Sequence, residues 1–306
     1  MFVFIIRRML QMIPVVLGVI LVVFLIMQMV PGDPAVLLAG ESATKEQVAQ
    51  LREQLGLNQP LYMQYFEYVK NVATGDLGTS VRSGRPVAEE IFTRLPVTVE
   101  LAFWSIIVTT VLGLLAGIIS ATKQYSISDI SIMIVALLGV SLPNFWLGLM
   151  LILGFAVNFQ IFPVSGWGSF MHVVLPAITL GTAGAAIVAR MTRSSMLEVI
   201  SQDYIRTAKA KGVKQTYIVY KHALKNALIP VITVVGLQFG ALLGGTVLTE
   251  SVFAINGLGR LIIDAIRMRD LPVVQGSILV VSILFVIVNM FVDIAYRLLN
   301  KRVDLN

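Results

Sequence analysis

The sequence predicts an all-α, polytopic membrane protein with six transmembrane helices, and three observations carry that expectation. Of its 306 residues, 57% are hydrophobic and only 13% charged, about half the charge of an ordinary soluble domain. Apolar runs recur at the length of roughly 20 residues that a helix needs to cross a bilayer. They rest on Leu, Ile, Val and Gly, without the alternating ten-residue pattern of an outer-membrane barrel.

The first run, 9–30, follows Arg7 and Arg8 as a secretion signal would. It is longer than the roughly 7 to 15 apolar residues of such a signal and lacks a small-residue cleavage site. It is therefore read as a retained span. The polar segment 31–96 comes next, punctuated by Pro31-Gly32-Asp33-Pro34, Gly56-Leu57-Asn58-Gln59-Pro60 and Gly75-Asp76-Leu77-Gly78. Within it, Thr44-Lys45-Glu46-Gln47 followed by Val48, Leu51 and Leu55 predicts a capped amphipathic helix. A small outward-facing subdomain is expected. An idle ectodomain is the alternative, because no metal-ligand or nucleophile spacing occurs in it.

Five more spans are expected at 97–120, 130–157, 173–191, 227–248 and 273–298. The third is the longest and contains Pro143-Asn144, which predicts a kink or a broken helix. With the N-terminus in the cytoplasm, most of the 23 Lys and Arg residues lie inside. Most of the others fall in the long 31–96 loop, which the positive-inside rule discounts. The orientation is N-in and C-in. The chain thus reads as 1–30, 31–96 and a transmembrane core 97–306 that carries a cytoplasmic insert at 203–226.

Several chemistries are excluded. There is no Cys, hence no disulfide or thiolate metal site. No Gly is followed directly by Lys, so a Walker A phosphate loop is absent and ATP is not held in that way. His172 and His222 fall on opposite sides of the membrane, where they cannot share a metal or a triad. No metal site and no catalytic residue is assigned. The net charge of +6 follows from loop topology and does not argue for nucleic acid.

Small residues at helical spacing, Gly113 and Gly117, Ala177, Gly181, Ala185 and Ala189, and Gly236, Gly240 and Gly244, predict close helix packing. Polar residues within spans are candidates for a translocation path because a mid-bilayer charge is costly unless it faces protein or water. Asp293 is the clearest, although an interfacial position one turn from Arg297 accounts for it equally simply. Asn144, Gln238 and Asn289 are further candidates, with a bond to a neighbouring helix as the alternative.

The insert is the most informative segment. Asp203, Tyr204, Arg206, Thr207, Ala208, Lys209, Ala210 and Lys211 predict a short basic helix, which Gly212 ends with a sharp turn. From Val213, apolar residues at Tyr217, Tyr220, Leu224 and Ala227 predict an amphipathic helix leading into the fifth span. A helix lying on anionic head groups fits the same periodicity. The small surface of Thr207, Ala208 and Ala210 suits a protein groove instead.

At these residues the chain resembles the permease subunits of bacterial ATP-binding-cassette importers, in their dipeptide and oligopeptide branch. Tyr204-x-Arg206-Thr207-Ala208-x-Ala210-Lys211-Gly212, then Lys221-His222-Ala223-Leu224-x-Asn226-Ala227-x-Ile229-Pro230, resembles that branch's form of the cytoplasmic EAA motif. Here Arg206-Thr207-Ala208 stands where the general motif has Glu-Ala-Ala, and His222-Ala223-Leu224-Lys225 where it has Ile-x-Leu-Pro. Further matches are Leu55-Gly56-Leu57 with Gln59-Pro60-Leu61, Glu250-x-Val252-Phe253 with Gly257-Leu258-Gly259, and Arg269-Asp270-x-Pro272.

The resemblance implies the type I importer permease fold in the bacterial cytoplasmic membrane and a non-catalytic subunit forming half of an alternating-access path. Its partners would be a second homologous permease, two ATPase subunits that bind ATP and magnesium, and an extracytoplasmic peptide-binding protein. Residues 203–212 would dock on an ATPase. Asp33, Asp76, Arg82, Glu250, Arg269 and Asp270 would face the binding protein. The cargo would be dipeptides, longer peptides, glutathione or nickel chelates. The rival readings are an ion-driven secondary transporter, which would show internal repeats and paired midplane carboxylates, and a non-transporting scaffold.

Overall fold

Long apolar stretches fold as helices in a membrane because every backbone N–H and C=O must be satisfied within its own segment. The computed structural model describes residues 2–29, 33–39 and 43–299. Val30, Pro31, Gly32, Lys301 and Arg302, used in the reading above, lie outside them. The helices in chain order are α1 (Phe2–Met29), α2 (Pro34–Ala39), α3 (Lys45–Gln54), α4 (Leu61–Thr74), α5 (Val87–Thr122), α6 (Ile127–Ser141) and α7 (Asn144–Leu151). A wider π-helical segment, Ile152–Asn158, extends α7. Then come α8 (Phe170–Ile200), α9 (Asp203–Ala210), α10 (Gln215–Tyr217), a second π segment (Ile218–Ala223), α11 (Leu224–Gly245), α12 (Val247–Val252), α13 (Leu258–Met268) and α14 (Leu271–Leu299).

Among the described residues five helices are long and apolar enough to cross a bilayer. α6 with α7 and its extension is apolar enough only as a pair, bent by 104° at the break into the shape of a broken span or a re-entrant loop. That break falls at Pro143, whose ring cannot continue α6 and which instead leads into α7. Five of the expected spans are therefore present as single helices, and the third is broken at Pro143-Asn144, as expected.

Two boundaries differ from expectation. The second span was expected to begin at Val97, yet α5 starts at Val87 and runs through Pro96 for 36 residues, about 54 Å at 1.5 Å per residue. Glu89 and Glu90 in its first turn favour the positive end of the helix dipole. Val87 and Ile91 are fully buried against Gly276, so packing holds the turn that Pro96 weakens. Likewise α8 continues to Ile200, past the expected Met191, because Thr192, Ser195 and Met196 still face the interior.

The chain divides into two compact units. One comprises Met1–Pro96 with Arg260–Ile283, so that 260–283 group with the N-terminal third of the chain. In it α4 packs on α1: Phe24 meets the rings of Tyr65 and Tyr68, and the Tyr65 hydroxyl donates to the Leu17 carbonyl at 3.0 Å. The expected capping box of α3 is formed by Thr44 and Gln47.

The other unit is Val97–Gly259 with Leu284–Asn306. Its axis is α8, most of whose apolar and small residues between Val173 and Met196 are buried. The predicted small-residue faces close the helix contacts. Gly113 sits against Val188, Gly117 against Thr192, Gly181 against Val108, Gly184 against Thr109, and Gly236 and Gly240 against Val292 and Phe285.

A Cβ at Gly181 would lie 2.7 Å from Val108 Cγ1 and 2.9 Å from the Ser105 carbonyl oxygen. Gly181→Ala is therefore expected to lose about 1–3 kcal/mol through overpacking, read as a lower melting temperature in detergent. Gly18→Ala in α1, where a new Cβ meets nothing within 4 Å, is expected to be neutral or stabilising.

Candidate functional site

The first helix of the insert, α9, is rooted in one buried side chain. Ile205 on α9 is 0% exposed and packs with Ile118 and Ala121 of α5, Met196 of α8, and Ile218, Val219 and Ala223. Every other residue of α9 is exposed except the half-buried Ala208. Asp203, Tyr204, Arg206, Thr207, Lys209 and Ala210 thus form one accessible surface, and Lys211 and Gly212 extend it. The Arg206–Asp203 pair at 3.6 Å is itself exposed and adds little stability. Tyr204 is held by the Asn226 amide, which donates to its hydroxyl at 2.8 Å.

Gly212 ends α9 as predicted. Its φ is +76°, its N–H donates to the Lys209 carbonyl, and the Val213 N–H donates to the Ala208 carbonyl. These two bonds are the Schellman pattern, which needs a left-handed residue at this position.

The amphipathic helix expected from Val213 is not the one observed. Tyr217 and Tyr220 are 46% and 59% exposed, whereas Ile218, Val219 and Ala223 are buried. The backbone over Ile218–Ala223 is π-helical, and its wider turn aligns residues five apart, so Ile218 and Ala223 share the buried side. Tyr217 instead receives Lys221 over its ring at 4.8 Å, with the His222 ring 5.3 Å away.

Beside this cluster lies an ion pair that the sequence reading did not single out. Arg193 on α8 donates through Nε and Nη2 to the two Asp129 oxygens, each at 2.8 Å. Ser120 at the end of α5 donates to the same carboxylate, and so does the Tyr125 N–H at 3.0 Å. Asp129 is 3% exposed. The α5–α6 turn is thereby tied to the end of α8 that leads into α9. Arg193 entered the sequence analysis only as a cytoplasmic charge, and the available signal was Asp129 three residues after the cap Ser126.

Within the same unit a cavity of about 180 Å³ brings together Asn144, Gln238 and Thr109, walled by Leu180, Gly184 and Leu242. The broken third span places Asn144 there as the first residue of α7. Two of the four path candidates therefore meet at one cavity. Asn289 and Asp293 are half-buried on α14 and do not line it.

The docking candidates divide by burial. Glu250 is 0% exposed, which corrects its expected place on an outer surface. It accepts from the hydroxyls of Thr98 and Thr246, each at 2.8 Å, while Thr98 accepts from the Leu258 N–H. A Cβ at Gly257 would lie 2.5 Å from its carboxylate, so the Glu250 and Gly257-Leu258-Gly259 motifs are two halves of one buried contact. Asp270, 3% exposed, is likewise internal: Ser80 and the Val81 and Arg82 N–H groups donate to it.

Asp33 pairs with Arg52, whose guanidinium holds the carboxyl below its ordinary range, and it also caps Ala35. Asp76 folds the turn before Gly78, whose N–H donates to it at 2.8 Å. Arg82 donates to the Met268 carbonyl at 3.1 Å. Arg269 occupies the left-handed position after α13 with φ +55°, where glycine is usual.

Residues 113–305 match the family described as binding-protein-dependent transport system inner membrane component, and residues 1–102 match its N-terminal companion family. The chain is 47% identical to the dipeptide transport system permease protein DppB of Alkalihalophilus pseudofirmus, over 97% of this chain and 98% of that one. It is 46% identical to the glutathione transport system permease protein GsiC of Escherichia coli K12, over 98% of each. Its fold is similar to that of a chain in the inward-facing MetNI methionine ABC transporter, with a TM-score of 0.59 and 20% identity over 69% of this chain and 96% of that one.

Removing one member of a buried ion pair leaves the other charge uncompensated, at about 3–5 kcal/mol. Asp129→Asn is expected to lower the melting temperature of the detergent-purified protein on that scale. The double change Asp129→Leu with Arg193→Met is expected to recover most of the loss. Parent-like melting of the single variant would mean that water reaches the pair.

Proposed function

Because this chain belongs to the family of binding-protein-dependent transport system inner membrane components, we propose that it is the permease of an ATP-driven importer for short peptides. It is a multi-pass protein of the bacterial cytoplasmic membrane. The observation that carries the reading is α9: an exposed helix anchored through the single buried Ile205 and closed by Gly212. A surface element with one firm root passes a push on its exposed face into the helices that grip the root, here α5 and α8.

In this reading ATP and its magnesium bind to two separate ATPase subunits, and the chain itself catalyses nothing. Residues 203–212 dock in a cleft of one ATPase. A second, homologous permease completes the path, and an extracytoplasmic binding protein delivers the cargo. Closure of the ATPases draws the inserts together and opens the path alternately to each side. The cavity at Asn144 and Gln238 supplies amides that can exchange hydrogen bonds with a peptide backbone in passage. The two relatives are named for a dipeptide and for glutathione, and their near-equal identities favour what those cargoes share: a short chain with charged ends.

Two measurements test this. Peptide uptake that persists after every associated ATPase is removed overturns it in favour of an ion-driven carrier. In the assembled system, Gly212→Val forces a branched residue into a left-handed turn at about 1–2 kcal/mol, a factor of about 5–30 in the docking-competent population. Substrate-stimulated ATP hydrolysis should fall accordingly while the binding protein still binds peptide. Unchanged stimulation would assign the insert to the lipid surface.

A further inference from the structure

The unit formed by the N-terminal third and 260–283 contains its own cavity of about 320 Å³, within the roughly 300–1,000 Å³ range of small-molecule sites. Its chemistry is graded. Glu67, Asp76 and Arg269 are exposed at the mouth, and Phe24, 6% exposed, lies deeper. Gln64, Glu67, Tyr68 and Asn71 reach it from one face of α4, at spacings of three, one and three. The Tyr68 hydroxyl is buried, with the Gln275 side chain as its polar neighbour in the lining and no well-formed hydrogen bond among the described residues. Burial pushes that hydroxyl up to about 12, so it is present as a neutral donor.

From this arrangement we infer that the cavity is a second binding site for a short zwitterionic peptide, with Glu67 and Asp76 holding the terminal ammonium and Arg269 the terminal carboxylate. Charges of both signs at the mouth select the two ends of the ligand. The apolar floor takes a side chain without reading its identity, and the Tyr68 hydroxyl donates to a backbone carbonyl. Arg269 supplies the positive charge of the mouth. Its left-handed backbone closes α13 where glycine would cost nothing: its N–H donates to the Ile266 carbonyl and the Asp270 N–H to the Ala265 carbonyl. A glycine there would relieve the positive φ but would remove the guanidinium from the lining. The choice of a peptide rests on the importer reading, whereas the preference for a zwitterion rests on the cavity alone.

The test uses the membrane complex in lipid nanodiscs without its binding protein, titrated with L-alanyl-L-phenylalanine. Saturable binding is expected, weakened about tenfold or more by N-acetylation or C-amidation of the probe. Glu67→Gln should weaken binding about tenfold, and among the described residues Glu67 forms no ion pair whose loss would disturb folding. Arg269→Gly should weaken it similarly while leaving the melting temperature unchanged or higher, because glycine relieves the positive φ. No saturable binding at millimolar peptide, or binding indifferent to both variants and to both blocked probes, overturns the site. ATP-dependent uptake by the intact system is read separately. Uptake without pocket binding overturns the pocket alone, and pocket binding in a system that imports no peptide overturns the importer reading alone.

Discussion

In a hydrocarbon solvent, apolar side chains gain little by meeting one another instead of lipid tails, so helices associate where their backbones can come close. The larger unit depends on that close approach along α8. Gly181 and Gly184 receive Val108 and Thr109 of α5, and Gly113 and Gly117 receive Val188 and Thr192 in return. This interlocking runs the length of the contact. At one end of it stand Leu180 and Gly184, which wall the cavity at Asn144 and Gln238. At the other stand Arg193 and Met196, which hold Asp129 and Ile205. A shift of α8 against α5 would move both ends together, the geometric requirement for the coupling proposed above between the insert and the cavity.

Charge enters such an interior only where every oxygen is engaged. Asp129 meets this condition with a bidentate guanidinium, a hydroxyl and a backbone N–H. Glu250 receives two threonine hydroxyls at Oε1, in a space that exists because Gly257 and Gly259 have no side chains. In the smaller unit Asp270 does the same for the turn at Ser80–Arg82. Each buried carboxylate folds a segment of backbone, and the exposed ionic groups beside them, Arg82 and Arg269, are left to face outward.

Much of the fold was legible because membrane solvation writes itself into composition: five single-helix spans, the break at Pro143, the capping box at Thr44 and the turn at Gly212 each follow from a local rule. The small-residue faces were legible as contacts, although their partners were not. Less of the candidate site was visible. The buried face of the insert was misread because helical periodicity assumes 3.6 residues per turn, and the π segment at Ile218–Ala223 departs from it. Ile205 was passed over as one apolar residue among polar neighbours. Glu250 and Asp270 were placed outside by the family resemblance, and no sequence rule shows that Thr98 or Ser80 waits more than 150 residues away to receive them.

By itself the sequence determined which segments are apolar enough to enter the membrane, where the chain turns and which segment forms the exposed basic insert, since these depend on neighbours within one or two helical turns. Tertiary structure alone decided which polar groups meet. Asn144 with Gln238, Asp129 with Arg193, and Glu67 with Arg269 around one cavity are pairings of residues distant along the chain. They exist because helices of fixed length pack at small residues, and that packing sets which side chains share a level.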